Sequence, residues 1–501
     1  MKPQPAPKAV VVGAGPVGCL TAMSLVQLGW HVTLYERRPD LRSNALQTNS
    51  KEHPRQHPRQ RSINLTLSSR GIAAVQAINQ DVVERLLHNA VPLQGRLVHF
   101  LNGNTQSQRY DRHGQCLHSI DRGLLNAILL DAAASTKNIS IHFSHKVESV
   151  DFDKRTLHVR NTASSQELDV DFDLCIGADG SHSVIRRFLM QTTQMEYSQH
   201  YLSHEYVEIR MPRGVDTSGQ PTFLLDPDHL HVWPREEFTM VAQPNKDKTF
   251  ICALFAPKTV FDALQSPGTI SPFFKKFFPD LLLLLGEKHL ERELQNNPRS
   301  QLITTKANPY HKGCVVILGD AAHSMVPFYG QGLNCALEDV RVLSIFLRKE
   351  QERLSGEPYE LGHNSAAISR VLDRYSESRH NDLVAICDLA MENHLKLRHG
   401  VATWSYMIKG FIDNILYAIS EKSAFMDYST LTQIISSPKA PSAWIPLYTM
   451  VSFRPDIPYS VAKKKAERQE RLIDRFGMGL GILGVGYFFW AVFVLLQRSS
   501  T

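Results

Sequence analysis

The stretch Lys8-Ala9-Val10-Val11-Val12-Gly13-Ala14-Gly15-Pro16-Val17-Gly18-Cys19 decides the fold. The apolar run Ala9 to Val12 has the length of a buried strand, and three glycines then make a tight turn. Cys19 to Leu28 carries apolar residues at helical spacing. In a strand, turn and helix of this kind, Gly13 permits the turn and Gly15 lets a pyrophosphate approach the backbone. Gly18 lets helix and strand pack closely, and the free N–H groups at the helix start hold phosphates. His31-Val32-Thr33-Leu34-Tyr35 follows as a second strand with Glu36 at its end. A carboxylate there suits a ribose 2′-hydroxyl and repels a 2′-phosphate, so the expected dinucleotide is FAD or NAD and not NADP.

Working outward, the 501 residues exceed the size at which one core keeps growing, so two lobes and an appendage are expected. The net charge of +6 comes largely from local clusters such as Arg55 to Arg61 and Lys463 to Arg475. That is a solvated basic surface, without the footprint of a nucleic-acid binder. The seven cysteines have neither CxxC nor other metal spacing, and several fall inside apolar segments. Free buried thiols in a reducing compartment, and no metal site, are therefore expected. Nothing resembling a secretory signal precedes the first strand, which places the amino terminus on the cytosolic side.

Between Asn44 and Gln60 the chain turns polar, with His-Pro-Arg-Gln repeated in tandem at 53–56 and 57–60, and reads as a surface loop. Arg61 to Ser68 reads as a strand and Ser69 to Leu87 as a helix; a hairpin turning at Asn102-Gly103 runs from Leu97 towards Tyr110. Asp121 is placed to cap a helix from Gly123 to Ala134, with Arg122 at its start. An arginine set against a helix dipole fits an anionic neighbour such as a phosphate or, equally, a solvated surface.

A second strand-to-helix crossover lies at Asp173-Leu-Cys-Ile-Gly-Ala-Asp179-Gly180, and a third at Val315-Val-Ile-Leu-Gly-Asp320-Ala-Ala-His323, followed by a helix from Cys335 to Leu347. Asp320 at a strand end suits a ribityl hydroxyl. The Gly-rich turn before the helix aims N–H groups at whatever lies above it, which for a flavin would stabilise the charge gained on reduction. His323 reads as positional rather than catalytic. Residues 197–304 alternate like antiparallel strands that roof a site, and Ala366 to Ser423 is patterned as a helical bundle closing it. Phe476 to Gln497 carries no charge over 22 residues, enough at roughly 1.5 Å per residue to cross a bilayer as a tail anchor. Its basic flank puts the rest of the chain on the cytosolic side. Gly477 and Gly481 give it a small-xxx-small spacing.

Three such segments in this order resemble the single-component (class A) aromatic flavoprotein hydroxylases. Further points of likeness are Arg61-Ser-Ile-Asn-Leu-Thr-Leu-Ser68, His231-Val-Trp-Pro-Arg235, His323-Ser-Met-Val-Pro-Phe-Tyr-Gly-Gln-Gly-Leu-Asn334 and Trp444-Ile-Pro-Leu-Tyr-Thr-Met-Val-Ser-Phe453. The resemblance runs from about Ala9 to Arg475. It implies an α/β fold in which a Rossmann-type FAD-binding domain (1–196 and 305–365) is interrupted by an antiparallel β-sheet substrate domain (197–304). A helical domain (366–475) and the membrane tail (476–497) follow.

It also implies a reaction in which FAD takes hydride from NADPH, reacts with O2 to a flavin hydroperoxide and passes hydroxyl to the ring of L-kynurenine ortho to its amino group, a step of tryptophan catabolism and NAD biosynthesis. The flavin does the chemistry, so no side chain is assigned as acid or base. The family pattern implies Gly13, Gly15, Gly18, Glu36, Arg37, Arg122, Val147, Asp179, Asp320, Leu333 and Asn334 as cofactor-binding residues. It implies Arg96 and Tyr110 for the substrate carboxylate, Asn393 for the same end, and Phe255, Pro327, Phe328 and Tyr448 as walls. A guanidinium suits bidentate carboxylate recognition. Leu397 stands where the family has methionine, a volume-conserving change. Gln60 replaces a usual glycine, beside a 44–60 loop longer than the family's. The family resides in the mitochondrial outer membrane, and the tail alone suits the endoplasmic reticulum equally. A hydroxylase of another aromatic ring and a non-hydroxylating flavoprotein scaffold are the alternative readings.

Overall fold

The computed structural model describes residues 5–42, 63–266, 268–396, 404–420 and 441–475. The loop expected at 44–60, Leu397 and the expected span 476–497 lie outside these residues. Among the described residues, no helix is long and apolar enough to cross a membrane.

Two sheets organise the molecule. The first has six strands in the order His311–Lys312, Val315–Ile317, Leu174–Gly177, Lys8–Val12, His31–Tyr35 and Ile139–His142. All pair in parallel except the edge strand His311–Lys312. The central strands are continuous apolar runs because both faces are covered. Val12 pairs with Gly177 on one side and Tyr35 on the other, and Gly177 pairs with Ile317. The carboxyl ends of all three crossover strands therefore open on one edge, where ligands of such sheets sit.

The second sheet has seven strands in the order Ser300–Asn308, Glu196–Met211, Phe250–Pro257, Phe238–Pro244, His229–Arg235, Gly95–His99 and Thr105–Arg109. It is antiparallel except where Gly95–His99 runs parallel to His229–Arg235. One face packs Trp233, Met240, Cys252 and Leu254 against Phe274, Phe278 and Leu281 of the covering helices. The opposite face carries Leu230, Val232, Val241, Ala253 and Phe255 and looks back at the first sheet.

The structure differs from the sequence expectation in four places. The hairpin Gly95–His99 and Thr105–Arg109, assigned to the first FAD-binding segment (1–196), completes the second sheet. Among the described residues the middle segment holds four helices besides its strands, Lys258–Leu264, Ile270–Phe277, Pro279–Leu285 and Glu287–Asn296. Their apolar positions recur at helical spacing, a period masked by the alternation before them. The helix expected over 69–87 is two, Ser69–Gln76 and Gln80–Asn89, because the Asn79 side chain accepts from the Val82 N–H and caps a new start. The strand expected from Arg61 to Ser68 is confined, among the described residues, to Leu65–Leu67.

After the last crossover come the helices Gly332–Leu354 and Ser365–Leu395. Trp404–Ser420, Leu447–Phe453 and a helix over 459–475 complete the described chain.

Candidate active site

A cavity of about 590 Å³ lies between the two sheets, from the first crossover turn to the inner face of the seven-stranded sheet. At its nucleotide end Gly13 has φ +104°, and a Cβ there would lie 2.5 Å from the Ala178 carbonyl oxygen. A Cβ on Gly18 would lie 1.9 Å from the Gly13 carbonyl oxygen, so helix and strand touch through hydrogen alone. Gly15 has open space on its Cβ side and starts the helix Pro16–Gln27 with no side-chain cap, leaving the first N–H groups for a ligand. Gly13 and Gly15 line the cavity; Gly18 stands behind them, in the packing role read from its spacing.

Glu36 lines the same end and is buried. Its Oε2 accepts from the Ala14 N–H at 3.0 Å, and its Oε1 accepts from the Arg38 N–H at 3.0 Å and from Arg38 Nε at 2.7 Å. Burial opposes its charge, but the Arg38 guanidinium and these N–H donors hold its carboxyl below the usual range. Arg37 and Val147 line the cavity beside it.

From the second crossover, Asp179 accepts from the Val184 N–H at 2.6 Å, while its Oδ1 is buried with no partner among the described residues. Burial pushes this carboxyl up. Arg122 is exposed at the head of Arg122–Ser135, capped by Asp121 through the Leu124 N–H at 2.8 Å, and faces the cavity. Asp320 and Leu333 reach it from the third crossover. Asn334 does not: its Nδ2 donates to the Thr66 and Gly330 carbonyls, both at 2.8 Å, and its Oδ1 accepts from the Ser68 N–H at 2.9 Å. It shapes the turn from behind. The helix Gly332–Leu354 begins there with no side-chain cap, so its positive end meets the cavity.

His323 is buried and does not line the cavity. Its Nε2 bonds Asp339 at 2.5 Å, and Arg379 holds the same carboxylate through Nη2 at 2.8 Å. Cys335 lies within 4.8 Å of both His323 and Asp339 ligand atoms, and Arg379 Nη2 also donates to its sulfur. A guanidinium thus supplies the positive charge in this cluster. The network continues to Arg70, which is 1% exposed and bonds Glu338 at 2.6 Å. Arg70 also donates to the carbonyls of Met450, Val451, Arg454 and Ile457 and lies over the Tyr459 ring. The pair with Arg70 and Arg379 holds the buried Glu338 carboxyl down at about 2 against its desolvation.

At the far end, Tyr110 and Tyr448 stack with centroids 5.0 Å apart, and the Arg96 guanidinium stands 5.9 and 5.7 Å from the two rings. Burial, reinforced by Tyr448, pushes the Tyr110 hydroxyl well above its ordinary value, so it stays a neutral hydrogen-bonding group. Phe255 and Phe328 meet at 4.9 Å, Phe328 stacks on His394 at 4.2 Å, and Pro327 completes that wall. Asn393 is not brought to the cavity; its Nδ2 donates to the Phe328 carbonyl at 2.6 Å and fixes the wall. Asn64, Thr66, His145, Lys146 and Gln243 also line the cavity and were not singled out from the sequence. For Gln243 the signal was available, because it alternates with Val241 on one strand face.

These residues fit FAD: a glycine cradle with no room for a Cβ at Gly13 or Gly18 and open space at Gly15, a buried carboxylate at the second strand's end, an Asp179 oxygen with no partner among the described residues and an uncapped helix start lie along or beside one cavity. The FAD binding domain family model matches residues 7–387, so fold and site together define an FAD-binding flavoprotein. The chain is 37% identical over 491 residues to the kynurenine 3-monooxygenase of Yarrowia lipolytica, covering 96% of each chain. It is 38% identical to that of Candida albicans (95% of this chain, 94% of the relative) and 33% to that of Saccharomyces cerevisiae (98% and 99%). The chain belongs to the family of the kynurenine 3-monooxygenases. Among solved structures, the fold is similar to a 2-methyl-3-hydroxypyridine-5-carboxylic acid oxygenase mutant, with TM-score 0.61, 18% identity and coverage of 80% and 96%. It is also similar to Klebsiella pneumoniae HpxO complexed with FAD, with TM-score 0.58, 19% identity and coverage of 82% and 98%.

Proposed function

We propose that the protein is an FAD-dependent monooxygenase that converts L-kynurenine to 3-hydroxy-L-kynurenine with NADPH and O2. The observation that carries this reading is one cavity with an FAD cradle at one end and Arg96, flanked by Tyr110 and Tyr448, at the other. When bound, FAD supplies hydride acceptance from NADPH and activation of O2. The chain's own residues bind and orient. Arg96 takes the amino acid's carboxylate, and Tyr110 adds a neutral O–H donor to it. Phe255, Pro327 and Phe328 hold the aromatic ring flat against an apolar wall and keep water from the reacting edge. Ring activation needs little from the protein, since an arylamine nitrogen already donates electrons to the ortho carbon. Gly13, Gly15, Glu36, Arg37, Arg122, Val147, Asp179, Asp320 and Leu333 hold the cofactor, with Gly18 and Asn334 supporting them from behind.

The finer reading extends to the uncharged segment 476–497, which serves as a tail anchor with the enzyme facing the cytosol, a reading its hydropathy and its basic flank support, and the family resemblance points to the mitochondrial outer membrane. The test is NADPH oxidation by the detergent-solubilised full-length protein with and without L-kynurenine, with the product identified by mass. Substrate-stimulated oxidation and a product one oxygen heavier are expected. A yellow protein whose NADPH oxidation ignores kynurenine would refute the substrate assignment.

A further inference from the structure

On the four strands from Gly95–His99 to Phe250–Pro257, Arg96 and Gln243 line the cavity among the apolar Leu230, Val232, Val241, Ile251, Ala253 and Phe255. Arg96 pairs in register with Leu230. One step beyond the pair His231 and Ala242, Leu230 stands opposite Gln243, and Gln243 pairs with Ile251. Arg96, Leu230, Gln243 and Ile251 therefore form one row across four strands, all lining the cavity. Two strand spacings, roughly 10 Å, separate the backbones of the arginine and the glutamine. Around Gln243 the cavity face is Leu230, Val232, Val241, Ile251 and Ala253.

Gln243 is 8% exposed, and its Oε1 is buried with no hydrogen-bond partner among the described residues. An amide buried among aliphatic side chains without a partner is destabilising, and a leucine would fill the place better. A ligand in the cavity can supply the missing partner. The last torsion of a glutamine side chain is broad, so the amide turns its oxygen to the cavity within its rotamer. With the carboxylate on Arg96, a ligand lying along the row brings its ring substituents over Gln243.

We propose that Gln243 is a specificity-determining residue whose amide oxygen accepts an N–H of the substrate's ring amine. The inference rests on the L-kynurenine reading of the cavity. It assigns the two ends of the substrate to one row of the sheet: Arg96 reads the amino acid, and Gln243 reads the arylamine. Together they fix which ring carbon faces the flavin. Gln243 touches substrate but moves no proton.

The experiment compares L-kynurenine with its ring-deaminated analogue, 3-benzoylalanine, as ligands of the full-length holoenzyme, each affinity taken from the change in absorbance of bound flavin. For Gln243→Leu, the Kd for L-kynurenine is expected to rise roughly tenfold to fiftyfold, while that for the analogue changes by less than about threefold. Gln243→Met, which keeps the length of the side chain, is expected to behave alike. Equal weakening of both ligands would show that Gln243 only shapes the wall, and unchanged affinities would show that it touches neither; both overturn the proposal. Loss of flavin from both variants overturns it as well, since the amide would then belong to the fold. A wild-type holoenzyme that binds neither ligand overturns the substrate reading itself.

Discussion

At the scale of single residues, the cavity separates grip from chemistry. Arg96 stands beside two aromatic rings and far from the glycine cradle, so removing it leaves the cofactor end intact. Arg96→Ala is expected to raise the KM for L-kynurenine roughly tenfold to a hundredfold while FAD stays bound. Steady-state kinetics with the flavin-to-protein ratio measured on the same sample checks both halves, and loss of flavin would refute the carboxylate role. The residues legible from the sequence were those with a spacing to announce them, Gly13, Gly15, Glu36, Asp179 and Asp320. Asn334 and Asn393 carry no such signal of their own: an amide on a helix looks the same whether it faces a ligand or, as here, a backbone carbonyl.

At the scale of elements, the C-terminal segment is tied to the nucleotide half by buried side chains, Gln331 to Ser452 and Tyr459 and, with the most bonds, Arg70. Arg70 binds four carbonyls between Met450 and Ile457, and the same segment carries Tyr448 into the cavity. Arg70→Met leaves those carbonyls and Glu338 short of a donor, at a cost of about 3 kcal/mol. The unfolding temperature is expected to fall by several degrees and the KM for L-kynurenine to rise, measured by calorimetry and kinetics on one preparation.

The outer face of the second sheet gives a pH dependence. His99 Nε2 and His231 Nδ1 share a hydrogen bond of 2.8 Å, His99 stacks on Trp233 at 4.1 Å, and Asp280, Arg235 and His229 complete the charged surroundings. Burial, reinforced by His231, lowers His99 from 6.5 to about 4, and burial lowers His231 too. Between those values the unfolded chain takes up protons that the folded chain refuses. Stability is therefore full above pH 6.5 and declines as pH falls towards 4. Thermal unfolding followed over that range should show the decline, and His99→Phe should flatten it.

At the scale of the whole molecule, the nucleotide half was legible because its strands are short apolar runs closed by glycine and acid at fixed offsets. The second sheet was only half legible. Its parallel joint between Gly95–His99 and His229–Arg235 links segments far apart in the chain by register alone, and no local pattern encodes that. The helices 258–296 escaped for a different reason, since each is ten residues or shorter and its brief helical period follows directly on the alternation of the strands before it. A chain ending after Arg475 should partition into the aqueous fraction if 476–497 is its anchor. Flotation of the full-length and shortened proteins on liposomes tests this, and membrane binding by the shortened chain would refute a single anchor.

The same long-range joint has a mechanical consequence. Arg96 and the apolar floor belong to one hydrogen-bonded plate, while the glycine cradle belongs to another. Pro327 and Phe328, which follow the third crossover, line the cavity from outside the first plate, so a tilt of one plate against the other changes the spacing between Arg96 and that wall. The seam between the plates thus sets the width of the cavity, and residues there adjust it without lining it.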